Sequence, residues 1–185
     1  MQKTIKSIPT EYDGIMYKSK LEAKWALFFD LINIQHWYEG VQWLGDDGAT
    51  YTPDFMILNG ISRGDTNHLK YPFIEIKPIA PSANFLRKVL NARDISKSDL
   101  FICVGEPSFY QPNGIWITTS LVANTSLSVD GFMFHRCPDC GVYTPDVLYD
   151  GVPIAGESTC GCSIFPKPKE WKEAAEYVKF HRFDI

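Results

Sequence analysis

The chain contains no run of eighteen apolar residues, so none of it is long enough and apolar enough to cross a bilayer as a helix. Its opening residues, MQKTIKSIPTEYDG, lack the apolar stretch that follows the basic residues of a secretory signal. A basic excess is missing as well, since 18 Lys and Arg face 22 Asp and Glu and leave a net charge of −4. That balance disfavours a protein that coats nucleic acid, which needs clustered cations to neutralise phosphates. It is compatible with an enzyme that gathers carboxylates around a divalent cation. Cysteine is scarce, five in 185 residues, and four of the five fall late: Cys137, Cys140, Cys160 and Cys162. In a chain without a secretory signal, such clustering points to metal rather than to disulfides. The expectation is a soluble, intracellular protein with no membrane partner.

What is present is enough for one well-buried core and a small appendage, not for two large domains: 45% of the residues are hydrophobic and 14% aromatic. Leu21, Trp25, Phe28 and Ile32 recur at helical spacing and predict a first helix over Tyr17 to Asn33, with Glu22 at the margin of the apolar stripe. His36 to Trp43 and Tyr51 to Leu58 read as strands joined by the turn-forming Gly45-Asp46-Asp47-Gly48. After the polar loop Asn59 to Lys70, the run Tyr71 to Ile76 reads as a third strand, ended by Pro78 and Pro81. Ser82 or Asn84 caps a second helix reaching about Ile95, and Leu100 to Val104 forms a buried strand in which Cys103 is a small core residue. Ile115 to Thr119 is a further strand. Pro168 suits the first turn of a closing helix that carries Trp171, Ala174, Ala175 and Val178 on one side and packs back on the core. These elements define a mixed α/β class, with a core over residues 1–130, a cysteine module over 131–166 and the last helix over 167–185.

The most informative segment is Tyr51-Thr52-Pro53-Asp54-Phe55, followed by Glu75-Ile76-Lys77 inside an apolar strand. With strict alternation, Glu75 and Lys77 share one face of that strand, roughly 6 to 7 Å apart, while Ile74 and Ile76 share the other. Burying an acid there without a partner is costly. The bland reading is an ion pair at a strand end. Against it stand Asp54 on a neighbouring strand and Glu22 on the inner margin of the first helix, in an order that a compact sheet could bring together.

In these residues the chain resembles the PD-(D/E)XK nuclease superfamily. The resemblance covers about Tyr17 to Val104 and rests on Glu22 within Ser19-Lys20-Leu21-Glu22-Ala23-Lys24-Trp25, on Pro53-Asp54, and on Glu75-Ile76-Lys77. It implies a restriction-endonuclease-like core of helix, three-stranded meander, helix and strand, and a Mg²⁺- or Mn²⁺-dependent deoxyribonuclease, an endonuclease more than an exonuclease. The residue types suit that chemistry. Mg²⁺ prefers oxygen ligands and keeps several waters, so Asp54, Glu75 and the Ile76 carbonyl could hold it, with Glu22 completing the shell directly or through water. Lys77 would orient or activate the attacking water. Lys18, Lys20 and Lys24 around Glu22, together with Arg87, Lys88 and Arg93 on the second helix, are candidates to grip phosphates, or else ordinary solvated helix charges. Tyr17, Trp43 and Tyr51 could stack bases but are more readily read as packing. The helical motif also fits a phage or mobile-element origin in a bacterial cell, with a homodimer or a phage or host protein as further partner.

Cys137-Pro138-Asp139-Cys140-Gly141 has the compact form in which two thiolates from one turn bind the same zinc ion. Its partner, Cys160-Gly161-Cys162, is tighter than the usual spacing, and His135 is a substitute ligand. A closed four-thiolate shell leaves no open position, so this Zn²⁺ would be structural. The resemblance also admits an iron–sulfur cluster, but the superfamily members that carry one typically bracket the nuclease core with its cysteines, and no cysteine precedes Asp54 here, so zinc is favoured. Three rival readings stay open: a non-catalytic nucleic-acid or protein-binding module on the same fold, an assembly protein held by zinc, and an enzyme that hydrolyses another phosphate ester.

Overall fold

A computed structural model of the chain describes residues 7–45, 48, 50–58, 71–96, 98, 100–108, 115–117, 132–136, 143–149, 152–153 and 168–183. For 115–117, 132–136, 143–149, 152–153 and 168–171 the description is of the backbone. The fold is mixed α/β. A short hairpin comes first, β1 (Thr10–Tyr12) antiparallel to β2 (Ile15–Tyr17), with Asp13 and Gly14 at positive φ in its two-residue turn. Helix α1 follows over Lys20–Leu31. Ser19 caps it, its Oγ accepting the Glu22 N–H at 3.1 Å. This arrangement satisfies one of the backbone donors that every helix start leaves open.

The central sheet has five strands in the order β3 (His36–Tyr38), β6 (Phe55–Ile57), β7 (Phe73–Lys77), β8 (Leu100–Val104), β9 (Ile115–Ile117). Helix α2 (Ala83–Ser96) connects β7 to β8, which is the one parallel pair in this sheet. A parallel neighbour needs such a crossover, whereas the antiparallel pairs β3·β6, β6·β7 and β8·β9 do not. Ser82 starts α2 by accepting the Phe85 N–H at 3.3 Å, as one of the two anticipated caps.

The two strands expected before and after the Gly45–Gly48 turn are each broken in two. Their distal halves pair as β4 (Trp43–Leu44) with β5 (Thr50–Tyr51), closed by Gly48 N–H donating to the Gly45 carbonyl at 2.9 Å. Between the ladders the register slips. Tyr38 faces Phe55 while Trp43 faces Tyr51, five residues on along one strand against four back along the other. One extra residue on one side is a bulge-like kink. It falls at Glu39, with φ +47°, and at Gly40, where a Cβ would lie 2.2 Å from the Trp37 ring. Only glycine fits so close to that indole.

Each face of the sheet has its own core. Ile74, Ile76, Phe55, Ile57, Phe101 and Cys103 face α1, whose Trp25, Phe28 and Phe29 are fully buried. Helix α3 (Pro168–Phe180) joins this side with Ala174, Ala175 and Val178, so the closing helix packs back as its spacing predicts. On the other face Met56, Phe73, Leu100 and Ile102 meet Val89 of α2, flanked by partly buried Trp43, Tyr51, Phe85 and Leu86.

A separate three-stranded sheet, β10 (Phe132–Arg136), β11 (Tyr143–Tyr149) and β12 (Val152–Pro153), lies inside the segment expected to be the cysteine module. Cys137, Cys140, Cys160 and Cys162 themselves, the Asn59 to Lys70 loop, and the side chains of His135 and Trp171 lie outside the described residues. Among the described residues no helix is long and apolar enough to cross a membrane.

Candidate active site

Strand β7 alternates as its sequence dictates. Ile74 and Ile76 enter the α1 core, and Phe73 enters the α2 core, which puts Glu75 and Lys77 on the α2 side. The Lys77 ammonium lies 4.6 Å from the Phe85 ring centroid of α2 and makes a close ion pair with Glu75 Oε1. It also stands 4.0 Å from Asp54 Oδ2.

Asp54 reaches this point because β6 parts from β7 there. The ladder pairs Met56 with Phe73 and Phe55 with Ile74; continued, it would bring Asp54 opposite Glu75 and then Pro53 opposite Ile76. Instead the Ile76 N–H donates to Asp54 Oδ2 at 2.6 Å, so a side-chain carboxylate replaces the main-chain acceptor. Asp54 is 8% exposed and Glu75 4%. Burial, then the neighbouring charge of Glu75, pushes the Asp54 carboxyl well above the usual carboxylate range, and Lys77 and the Ile76 N–H pull only partly against this. Glu22 contributes to the same repulsion, which places it within electrostatic reach.

Each glutamate is held at both oxygens. Glu22 Oε1 accepts from Ser19 Oγ at 2.7 Å and Oε2 from the Tyr38 hydroxyl at 2.5 Å. Tyr38 in turn accepts the Lys18 N–H at 3.0 Å. Glu75 Oε1 pairs with Lys77, and Oε2 accepts from the Tyr51 hydroxyl at 2.9 Å. Burial, then the charge of Glu75, raises the Tyr51 phenol far above its ordinary value, which keeps it a donor. Tyr51 gains this position through the break at Thr52–Asp54. Under strict alternation it would share a face with Phe55, yet Phe55 packs toward α1 and Tyr51 toward α2.

Asp54, Glu75 and Lys77 therefore come together, with Glu22 nearby. The basic residues divide. Lys18 is exposed, ion-paired with Glu39, and held above its usual range first by that hydrogen bond, with smaller help from Asp54 and Glu22. Lys20 is partly exposed, and Arg87 and Lys88 are exposed on α2, where Arg87 bonds Asn84. Arg93 pairs with the adjacent Asp94. Lys24 departs from expectation: it is buried and ion-paired at 2.6 Å to the half-exposed Glu106, so its charge is engaged by that carboxylate rather than offered to phosphate. Ser19 and Tyr38 are not among the site residues that the sequence suggests, and Tyr51, suggested only as a base-stacking or packing ring, instead holds Glu75. The Ser19-x-x-Glu22 spacing was the available signal for the first, being that of a capping box.

Three carboxylates with hard oxygen donors, two of them buried beside each other, suit a small divalent cation. A carboxylate has about four acceptor positions, so one donor on each oxygen leaves room for an ion. Among the described residues, however, no three acidic, histidine or cysteine side chains converge as a ready-made metal shell. Lys77 supplies the positive charge between Asp54 and Glu75. Against family models, characterised proteins and solved structures, the chain finds no match.

Proposed function

We propose that this chain is a Mg²⁺- or Mn²⁺-dependent nuclease of the PD-(D/E)XK kind, hydrolysing phosphodiester bonds in DNA and cutting within strands. The observation that carries this reading is the meeting of Asp54, Glu75 and Lys77 where β6 leaves β7, with two buried carboxylates repelling each other. A perturbed acid such as Asp54 beside a lysine is what functional sites accumulate. The order of α1, antiparallel meander, α2 and parallel strand supports it further.

In this reading Asp54, Glu75 and the Ile76 carbonyl hold the cation, with Glu22 completing the shell. The ion, when bound, stabilises charge on the phosphate and makes a bound water more acidic. Lys77 then exchanges Glu75 for the substrate, orienting the attacking water and offsetting negative charge. Lys18, Lys20, Arg87 and Lys88 grip the flanking phosphates. Structural Zn²⁺ on Cys137, Cys140, Cys160 and Cys162 is proposed from spacing alone. It predicts one zinc per chain by elemental analysis, lost from a Cys137→Ser/Cys140→Ser variant; zinc-free wild type rejects it.

Cleavage of linear and circular, single- and double-stranded DNA with Mg²⁺ or Mn²⁺ tests the activity. Asp54→Ala and Lys77→Ala, each checked for folding, should lower the rate by about 10²- to 10³-fold, the scale of losing a unit of electrostatic catalysis. The engagement of Glu75 by Lys77 and of Glu22 by the α1 cap favours a second reading, a binding module without catalysis. Folded wild type that binds DNA and cuts no nucleic acid, RNA included, would establish that alternative.

A further inference from the structure

Among the described residues three tyrosine hydroxyls donate to carboxylates: Tyr12 to Asp30 at 2.9 Å, Tyr38 to Glu22 at 2.5 Å and Tyr51 to Glu75 at 2.9 Å. The last two acids belong to the candidate site and the first does not. We infer that Tyr38 and Tyr51 are positioning residues that fix Glu22 and Glu75 for a divalent cation. This inference rests on the metal-site reading above.

The two tyrosines are built alike for such a role. Tyr38 lies against Tyr17, 4.5 Å between ring centroids, and against Phe55 at 5.4 Å, so its ring is set by the α1 core. Its hydroxyl also takes the Lys18 N–H, which ties it to the residue just before the helix cap. Tyr51 stacks on Trp43 with 7° between ring planes, and Trp43 meets Phe73 edge-on at 4.5 Å. Each phenol is thus a rigid arm with a single polar tip. The tips take one oxygen of each glutamate, while Ser19 and Lys77 take the others. Removing Lys77 from Glu75, as substrate binding requires, leaves Tyr51 as the donor that keeps that carboxylate in place. Partners of this kind orient metal ligands, and losing one commonly weakens metal binding by about 10- to 100-fold.

Tyr→Phe deletes only the hydroxyl and keeps the ring packing, so Tyr38→Phe and Tyr51→Phe each test the inference, with Tyr12→Phe as a matched control away from the acids. Mn²⁺ binding to the full chain is measured by titration calorimetry, and thermal unfolding is followed in chelator. The expected result is a Kd raised about tenfold in Tyr38→Phe and Tyr51→Phe and unchanged in Tyr12→Phe, with the metal-free melting temperatures of all three variants lowered alike. Wild-type affinity in both site variants overturns the inference while leaving the metal site standing. An equal loss in Tyr12→Phe overturns it too, by showing a general effect on folding. Wild type that takes up no Mn²⁺ rejects the metal site itself. Should one variant fail to fold, the other decides.

Discussion

The two faces of the central sheet are built for different ends. The α1 face is thick and apolar: Trp25, Phe28, Phe29, Phe55, Ile57, Ile74, Phe101 and Cys103 are fully buried, and α3 closes the layer with Ala174, Ala175 and Val178. Among the described residues the α2 face clusters Met56, Phe73, Val89, Leu100 and Ile102, with a rim of half-buried aromatics and the Glu75–Lys77 pair beside them. Packing on one face provides the rigidity that allows charge to be buried on the other. The Asp54 carboxyl, raised first by burial and then by the charge of Glu75, opposes folding once it ionises. The α1 core is what holds such a group in place.

The sharpest test removes packing from each face in turn. Phe28 is fully buried and meets Trp25 edge-on at 5.4 Å. Phe28→Ala should destabilise the chain by about 3–5 kcal/mol. Val89 is the α2 residue fully buried against the sheet, and Val89→Ala should remove only about 2 kcal/mol, from its two lost methyl groups and the small cavity they leave. Urea unfolding of both variants, compared at equal slope, measures the difference. Equal losses would mean that the two faces share the load and would break the comparison.

The difference between the faces was only half visible in the sequence. Strong period was legible: the stripe of α1, the alternation in β7 that puts Glu75 and Lys77 together, the buried run of β8 and the apolar side of α3 all stand where spacing put them. Short or irregular pieces were not. The three-residue strands β1 and β2 carry too little pattern to be read, and the break that separates β4 and β5 from β3 and β6 within the expected hairpin has no pattern of its own. The slip at Glu39-Gly40 depends on the Trp37 ring folding over a glycine, a tertiary contact with no local signature. For the same reason Tyr51 read as packing, because its facing follows from the break at Pro53 rather than from alternation. Lys24 looked like surface charge because its partner, Glu106, lies far along the chain.

The smallest expected effect probes the cost of the charged face directly. Asp54 is an acid whose folded-state affinity for a proton exceeds that of the unfolded chain, first through burial and then through Glu75. For a carboxyl shifted in this direction the native state holds the proton more tightly, so its contribution to stability falls as pH rises from the unfolded Asp value, near about 3.9, toward the raised native one. Asp54→Asn keeps an oxygen to accept the Ile76 N–H and cannot ionise. In metal-free buffer the variant should therefore match wild type near pH 4 and melt a few degrees higher at pH 7 to 8, the scale that about 1 kcal/mol gives a chain of this size. Adding Mn²⁺ should reverse the ranking, since an ion that binds only the native wild type stabilises it by mass action. A variant that melts below wild type at neutral pH without metal would show that Lys77 and the Ile76 N–H outweigh burial at Asp54, and that the α2 face carries its charges at no cost to the fold.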